Sequence, residues 1–243
     1  MQIPTPTETT LIQGAAALSI TISPETAVKF TQYLTLLKDW NNRINLTAIT
    51  EDADIITKHF LDSLTIAKIV KKSGKIIDVG TGAGFPGIPL KLIRPNLNML
   101  LLDSLNKRVN FLNTVISELN LTDIQTIHAR AEDLSRQLTY RETFDYATAR
   151  AMAPMAALAE YCLPYVVPGG LFIAMKGAKC EEELADAQNL IKELGGQVQE
   201  IQQVHIPGTD IIHRLVIIEK VSPTPTKYPG KAKQIGKGAG KKQ

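Results

Sequence analysis

The chain has 243 residues, of which 44% are hydrophobic and 21% charged, an ordinary composition for a soluble globular protein with one large core. No run approaches the roughly 18 consecutive apolar residues of a membrane span, and the first ten residues lack the basic and apolar regions of a secretory signal. The two cysteines, Cys162 and Cys180, provide neither a disulfide framework nor zinc-ligand spacing. We therefore expect a cytoplasmic protein without membrane association.

Positive charge is concentrated at the C-terminal end. The formal net charge is +3, yet seven lysines and no acid follow position 219, which leaves residues 1–219 with 20 basic and 24 acidic side chains. A basic segment on a slightly acidic body suggests a polyanionic partner, although a merely solubilising tail has the same composition. We assign residues 222–243 to this basic C-terminal tail.

The N-terminal part of the chain is predicted to be mainly helical. We expect residues 1–22 to be partly disordered, unstructured over 1–10 and with a short helix at 11–18. Ser23-Pro24-Glu25 is a helix start, with a hydroxyl N-cap, a proline at the first position and an acid at the positive end of the dipole. Apolar residues then recur at helical spacing, and a second helix is predicted over about 52–70. Residues 23–74 are predicted to form a helical cap at the edge of a sheet.

The stretch from Lys75 to Asp103 is the organising motif. A short β-branched run at 76–79 predicts a strand buried on both faces. Three glycines in five residues follow at 80–84, where the backbone can turn sharply and a ligand can approach it closely. The segment 86–93 predicts a helix, and an apolar strand then ends at Asp103. This order is the first half of a nucleotide-binding βαβ unit.

The rest of the chain continues the alternation of strands and helices. Helices are predicted at 107–119, 152–165 and 180–194. Strands are predicted at 124–129, 144–149, 171–175, 197–206 and 213–221. Because the last two strands are joined by a short loop, they must pair antiparallel. The pattern predicts a Rossmann-like, doubly wound, mostly parallel seven-stranded sheet over residues 75–221.

The glycine-rich loop does not by itself name its nucleotide. Residues 82–87 match G-x-G-x-x-G, the dinucleotide fingerprint, but Asp78 places a carboxylate where a pyrophosphate would lie. That acid suits a ligand with a cationic amine and a sulfonium, or it is simply a loop-capping acid. Asp103, at the end of the second strand, can accept both hydroxyls of a ribose, or it can cap the helix that begins near Leu105.

Several segments resemble the RsmG family, also called GidB. They occur in order and with the right spacing over about residues 30 to 230: NRINLTAI (42–49), KHFLDSL (58–64), DVGTGAGFPGIPL (78–90), LLDSLNKRVNFL (101–112), HARAEDL (128–134), FDYATARA (144–151), LPYVVPGGLFIAMKG (163–177) and PTPTKYP (223–229). The resemblance implies a class I S-adenosylmethionine-dependent methyltransferase fold with an N-terminal helical extension. It also implies methylation of N7 of one guanine in bacterial 16S ribosomal RNA. The Gly/Lys-rich end after residue 229 departs from the family's usual tail.

The resemblance implies a set of cofactor-binding residues for S-adenosylmethionine. Gly80 and Phe85 would line the methionine end of the pocket. The ribose and one adenine edge would be held by Asp103, Ser104 and Leu105. The adenine would be bracketed by Ala131 and Glu132, and Arg150 would face the place where methyl donor and base meet. No catalytic residue and no metal ligand are assigned.

The chemistry of the residues agrees with a guanine N7 acceptor. The Asn/Asp-Pro-Pro-aromatic loop used for exocyclic amines is missing, since residues 149–152 read Ala-Arg-Ala-Met, and neither cysteine is placed on a strand-end loop as a C5 nucleophile. N7 has an in-plane lone pair and needs no base. Phosphates of the RNA could be positioned by basic residues near the strand ends and in the cap: Arg43, Lys58, Lys107, Arg108, Arg150 and Lys176.

Two other functions compete with this one. A nicotinamide dehydrogenase is what the glycine motif alone would predict, and a non-catalytic RNA-binding ribosome-assembly factor could have kept the fold. We expect a monomer that acts on 16S rRNA or on the small ribosomal subunit. The four histidines are expected to be structural, with His59 the least certain of them.

Overall fold

A computed structural model describes residues 5–150, 153–177, 180–230 and 235. Its centre is a seven-stranded sheet in the order β3-β2-β1-β4-β5-β7-β6. All neighbouring strands run parallel except β7, which is antiparallel to both β5 and β6. The strands span Gly74–Val79 (β1), Leu97–Asp103 (β2), Ile124–His128 (β3), Phe144–Arg150 (β4), Val166–Lys176 (β5), Gly196–His205 (β6) and Ile212–Lys220 (β7). The predicted doubly wound sheet with one antiparallel strand is confirmed.

Helices cover both faces of this sheet. They span Pro6–Ala17 (α1), Pro24–Asn41 (α2), a third segment described below (α3), Gly87–Ile93 (α4), Asn106–Glu118 (α5), Ala131–Leu134 (α6), Met155–Cys162 (α7, extended by a 3-10 turn at Leu163–Tyr165) and Glu181–Glu193 (α8). None of the helices in the described ranges combines the length and the apolarity that a bilayer crossing requires.

Side-chain alternation along the central strands divides the core in two. Ile76 of β1 faces a cluster that contains the N-terminal helices, α4 and α5, whereas Ile77 and Val79 face a second cluster that contains α7 and α8. In β2, Met99 and Leu101 face the first cluster. A strand with both faces buried reads as a continuous apolar run, because neither set of side chains is left to water.

The first helix begins earlier than the sequence pattern predicted. Residues 6–10, expected to be unstructured, form the first turns of α1 because Thr5 and Glu8 make a capping box. Gly14 within this helix allows a close contact, since a Cβ there would lie 2.2 Å from Leu61 Cδ1. The helix packs through Leu11 and Ala15.

The helical segment α3 changes pitch along its length. It is α-helical at Asp52–Ile55, a π-helix at Ile56–Leu61, α-helical at Asp62–Leu64 and a 3-10 helix at Thr65–Lys68. The predicted helix over about 52–70 is therefore present, although its middle is wider than an α-helix. Short π segments are frequent at functional sites. Here the π turn carries Lys58 and His59 toward the carboxyl end of the sheet.

Strand β5 also differs from its prediction. It starts at Val166, not at Leu171, and its pairing with β4 shifts register where residues 168–170 bulge. A Pro-Gly-Gly sequence normally marks a turn, but the two glycines here accommodate a β-bulge inside a continuing strand. Gly170 is held tightly, since a Cβ on it would lie 2.6 Å from the carbonyl oxygen of Asp145.

Residues 222–230 pack onto the body of the protein. Arg141 donates to the carbonyl of Thr224 at 2.8 Å and Tyr228 donates to Glu193. Lys220, the first of the seven C-terminal lysines, is fully buried, and Lys227 pairs with Glu193. Both are thus committed to folded contacts, whereas the other five lysines lie outside the described residues.

Candidate functional site

A cavity of about 210 Å³ opens at the carboxyl ends of β1, β2 and β3. The residues around it come from the glycine-rich loop, the ends of β2 and β3, the start of α5, and the segments of α6 and α7 on the second face: Gly80, Leu102, Asp103, Ser104, Arg108, Ala129, Arg130, Ala131, Glu132, Ala153 and Tyr161. Five of the eight predicted site residues are among them. Phe85, Leu105 and Arg150 do not line this cavity and are placed beside it.

The glycine-rich loop is fixed by hydrogen bonds to its neighbours. The amides of Gly80 and Thr81 donate to the carbonyl of Leu102 at 2.8 and 3.1 Å, and Tyr33 of α2 donates to the carbonyl of Ala83. Gly84 has φ +98°, and a Cβ there would lie 2.7 Å from the Tyr33 hydroxyl. The helical cap therefore supports the loop directly.

Asp78 is completely buried beneath this loop. Its Oδ2 accepts from the Thr81 hydroxyl at 2.6 Å and from the Gly87 amide at 2.9 Å, as the loop-capping alternative requires. Its Oδ1 has no hydrogen-bond partner among the described residues. Burial raises the pKa of Asp78 to about 6, against the lowering effect of its two donors. The site thus contains a carboxylate with one uncompensated oxygen.

Asp103 joins the loop to the start of α5. Its Oδ1 accepts from the Leu105 amide at 2.8 Å, and its Oδ2 accepts from the Gly82 amide at 2.9 Å and from Arg108 at 3.5 Å. Helix α5 has Leu105 as its N-cap residue. Asp103 thus serves the helix start, as the alternative reading expected, and also lines the cavity. Its Oδ1 keeps capacity for a further donor, whereas Oδ2 already accepts from two.

The opposite wall contains residues that the sequence did not single out. Arg130 donates to Glu132 at 2.9 Å. Tyr161, from α7, has a pKa raised above its usual value by burial. Arg130 lies within the HARAEDL motif and could have been proposed from it. Tyr161 had no sequence signal, because its place in the wall depends on how α7 packs against the sheet.

A second polar cluster lies next to the cavity, on the side of the helical cap. Arg150, at the end of β4, donates to Asp62 Oδ2 at 2.8 Å and to the carbonyl of Lys58 at 3.2 Å. Its guanidinium lies 4.9 Å from the ring centre of Phe85. The imidazole of His59 stacks on Phe85 with ring centres 4.5 Å apart. Arg150 and Phe85 are therefore brought together, with the π turn of α3 between them and solvent.

Hydrogen bonding determines the proton position on His59. Arg150 Nη2 can only donate, so His59 Nδ1, 3.2 Å away, accepts. His59 Nε2 then carries the proton and donates to the Thr47 hydroxyl at 2.7 Å. Burial, followed by the Arg150 charge, lowers the pKa of His59 to about 4. The ring is therefore neutral near pH 7, and its lone pair is engaged.

The basic residues predicted to hold RNA have different environments. Lys58 pairs with Asp54 at 2.8 Å, Arg43 with Asp39 at 2.8 Å, and Lys176 with Glu183 at 2.6 Å. Lys107 is exposed at the start of α5, whereas Arg108 lines the cavity. Residues 151 and 152, which belong to the Ala-Arg-Ala-Met sequence considered above, lie outside the described residues.

Both cysteines are buried free thiols. Burial raises the pKa of Cys162 and of Cys180, which disfavours the nucleophilic thiolate. Among the described residues, no group of three or more His, Cys, Asp or Glu side chains is arranged to hold a metal ion.

Comparison with known proteins identifies a family whose members are similar to this chain over most of its length. A family model described as "rRNA small subunit methyltransferase G" (GidB) matches residues 26–212. "Ribosomal RNA small subunit methyltransferase G" of Thermoanaerobacter sp. (strain X514) is 48% identical over 227 residues, which cover 93% of this chain and 95% of that protein. The protein of the same description from Clostridium perfringens (strain 13 / Type A) is 52% identical over 211 residues, 86% of this chain and 88% of that protein.

Solved structures with the same fold are more distant in sequence. P. horikoshii TYW2, crystallised with MeSAdo, has a TM-score of 0.53 at 13% identity, over 68% of this chain and 63% of that one. M. capricolum TrmK, in complex with S-adenosyl-homocysteine, has a TM-score of 0.51 at 16% identity, over 67% and 69%. These similarities establish the fold.

Proposed function

The chain belongs to the rRNA small subunit methyltransferase G family, and from that membership and the geometry of the site we propose that it transfers a methyl group from S-adenosylmethionine to N7 of a guanine in 16S ribosomal RNA. The observation that carries the proposal is the cavity at the carboxyl ends of β1 to β3, with a glycine-rich loop on one side and Asp103 at its base. Ligands of open α/β sheets bind at this edge.

The residues present fit the cofactor's chemistry. Asp78 supplies a buried carboxylate oxygen without a partner beside the glycine loop, which suits a molecule with an ammonium and a sulfonium. Asp103 has acceptor capacity for a ribose hydroxyl, and together with Ser104 and Leu105 it would hold the ribose and one edge of the adenine. Ala131 and Glu132 would bracket the adenine. When bound, the sulfonium supplies a methyl group that is already activated.

The protein's own groups then have to orient the methyl donor and the base and to shield them from water. Gly80 and Phe85 would confine the methionine end, and Arg150 would border the place where the base enters. N7 of guanine carries an in-plane lone pair and no proton, so a general base is unnecessary. The neutral, engaged His59 and the buried thiols of Cys162 and Cys180 agree with a site that works by orientation.

The finer assignments are part of the same proposal. The substrate is 16S rRNA or the small ribosomal subunit, and the enzyme is a cytoplasmic monomer without membrane association. Residues 1–22 form an N-terminal segment, 23–74 a helical cap, 75–221 the methyltransferase domain and 222–243 the basic tail. Phosphate contacts from exposed groups such as Lys107 would position the RNA.

The decisive experiment is transfer of a labelled methyl group from S-adenosylmethionine to small subunits isolated from a strain that lacks this methylation. Mass mapping of the RNA should show a single guanine whose base has gained one methyl group and a positive charge, because N7 carries no hydrogen to lose. Binding of subunits without methyl transfer would instead indicate a non-catalytic assembly factor. Thermal stabilisation by NAD but not by S-adenosylhomocysteine would indicate a dehydrogenase.

A further inference from the structure

Asp62 is a buried carboxylate that none of the assignments above uses. It lies directly after the π turn of α3, and its side chain is 1% exposed. Oδ2 accepts from Arg150 at 2.8 Å, and Oδ1 accepts from His213 Nδ1 at 2.8 Å. A carboxylate this deeply buried is costly to place unless both oxygens are paired, so its contacts define its position closely.

The two partners of Asp62 come from two strands, β4 and β7, that are separated in the sheet by β5. Arg150 is the last residue of β4, and His213 is the second residue of β7. Because β7 is antiparallel to its neighbours, its first residues reach the same edge as the last residues of β4. One side chain of the helical cap therefore joins two strands of the methyltransferase sheet.

The contacts of Asp62 continue into a longer chain of hydrogen bonds. Arg150 donates to His59, His59 donates to Thr47, and Thr47 accepts the amide of Ile49 at 3.1 Å. The loop that carries Thr47 is held in turn by Asn41, whose Oδ1 accepts the Leu46 and Thr47 amides. A rotation of the Arg150 guanidinium would break its bonds to Asp62 and His59 and leave the Nδ1 atom of His59 without a donor.

Arg150 has few alternatives to this arrangement. Its side chain is 15% exposed, with the Phe85 ring on one side at 4.9 Å and the Lys58 carbonyl at 3.2 Å. Without the Asp62 charge, the guanidinium would lose its only anionic partner in the described residues and would gain freedom to turn toward the cavity or solvent.

We propose that Asp62 is a positioning residue for methyl transfer, which holds the Arg150 guanidinium and His213 so that the wall bordering the incoming base stays fixed. This inference rests on the proposed function. It assigns Asp62 no contact with substrate or cofactor. Its loss should therefore slow the chemical step and leave cofactor binding nearly intact.

The test compares Asp62→Asn with wild type and with Asp52→Asn. Asn keeps the shape of the side chain and removes its charge. Asp52, on the same helical segment, forms an exposed ion pair with Lys38, so its replacement controls for loss of an ion pair in the cap. For Asp62→Asn we expect kcat to fall about 10- to 100-fold, because one charge-assisted hydrogen bond is lost. The Kd for S-adenosylhomocysteine should stay within about threefold of the wild-type value. Asp52→Asn should match wild type in both.

A double-mutant cycle separates positioning from general destabilisation. In an Arg150→Met background, Asp62→Asn should lower kcat by less than about twofold, because Asp62 acts through Arg150. Effects of the two substitutions that multiply would overturn the proposal, as would a wild-type kcat for Asp62→Asn. If Asp62→Asn does not fold, His213→Gln decides: a smaller fall in kcat at unchanged cofactor Kd supports the proposal, and an unchanged kcat refutes it.

Failure of the positioning role of Asp62 can be distinguished from failure of the proposed function. Wild-type protein that binds S-adenosylhomocysteine but never methylates small subunits would refute the proposed function, and the positioning role would fall with it. Wild-type methylation together with full activity of Asp62→Asn would refute the positioning role alone.

Discussion

The affinity for the cofactor should weaken as the pH is lowered below about 6, because the buried carboxyl of Asp78 must be ionised to interact favourably with a cationic ligand. Its pKa is raised from an ordinary 3.8 to about 6 by burial. In the folding equilibrium, a carboxyl group whose pKa is raised in the folded state stabilises that state at low pH. This contribution is full below pH 3.8 and is lost as pH rises through about 6. Keeping the carboxylate ionised at pH 7 therefore costs the free protein about 3 kcal/mol.

Ligand binding has the opposite pH dependence. An ammonium and a sulfonium stabilise the ionised carboxylate, so the bound form favours a lower pKa for Asp78. With a free pKa of about 6, about one carboxyl in eleven is ionised at pH 5, and the apparent Kd should be about tenfold weaker there than at pH 7.5. At pH 6 the loss should be about twofold. His59, with a pKa of about 4, stays neutral across this range.

Isothermal titration of S-adenosylmethionine, which carries both cationic groups, between pH 5 and 8 measures this effect. Asp78→Asn can still accept from Thr81 and Gly87 through its amide oxygen, and it should bind more weakly with a nearly flat pH profile. Asp145→Asn is the matched control, since Asp145 accepts the Lys75 amide at the other end of the sheet, and it should reproduce the wild-type slope. A wild-type Kd that does not change from pH 5 to 8, or a full slope retained by Asp78→Asn, would refute the reasoning.

Three further predictions concern the cavity, the tail and the core. Asp103→Asn should weaken S-adenosylhomocysteine binding about 10- to 100-fold, measured by titration, because a charged acceptor for the ribose hydroxyls is lost. Deletion after Gly230 removes five lysines and should reduce the slope of log K against log salt for RNA binding by up to about 3.5, measured by filter binding. Lys220→Met should lower the free energy of unfolding in urea by about 3 kcal/mol or more, because Glu142 and the Leu163 carbonyl lose a buried donor.

Each of these has its own control and its own contrary result. Asp133→Asn, at the one exposed position of α6, should leave the Kd unchanged, and an unchanged Kd in Asp103→Asn would remove the ribose role. The deletion starts after residue 230 because residues 222–230 pack on the body, and an unaltered salt slope would mean that the tail does not contact RNA. Lys227→Met breaks an exposed pair and should cost less than about 1 kcal/mol. Equal costs for Lys220 and Lys227 would contradict the burial argument.

The sequence alone determined the alternation of strands and helices, and with it a doubly wound, mostly parallel sheet. Local patterns were sufficient, because a strand buried on both faces shows a continuous apolar run and a helix shows its stripe whatever surrounds it. The same patterns located the glycine-rich loop and Asp103, which sit at strand ends by chain order. The prediction failed in two places. The Thr5 capping box was missed, and the fifth strand was predicted to start at 171, although it starts at Val166 and continues through Pro-Gly-Gly at 168–170.

Only the tertiary structure decided which distant residues share an environment. Asp62 and Arg150 are 88 positions apart, and Asp62 and His213 are 151 apart. Nothing in the local sequence distinguishes Lys220 from the lysines that follow it, yet it is buried against Glu142. Such pairings depend on how helices pack over the sheet, because burial and ion pairing are properties of the assembled core, not of a stretch of chain. The position of the glycine-rich loop and of Asp103 could therefore be predicted from the sequence, whereas the contacts that support the candidate site could not.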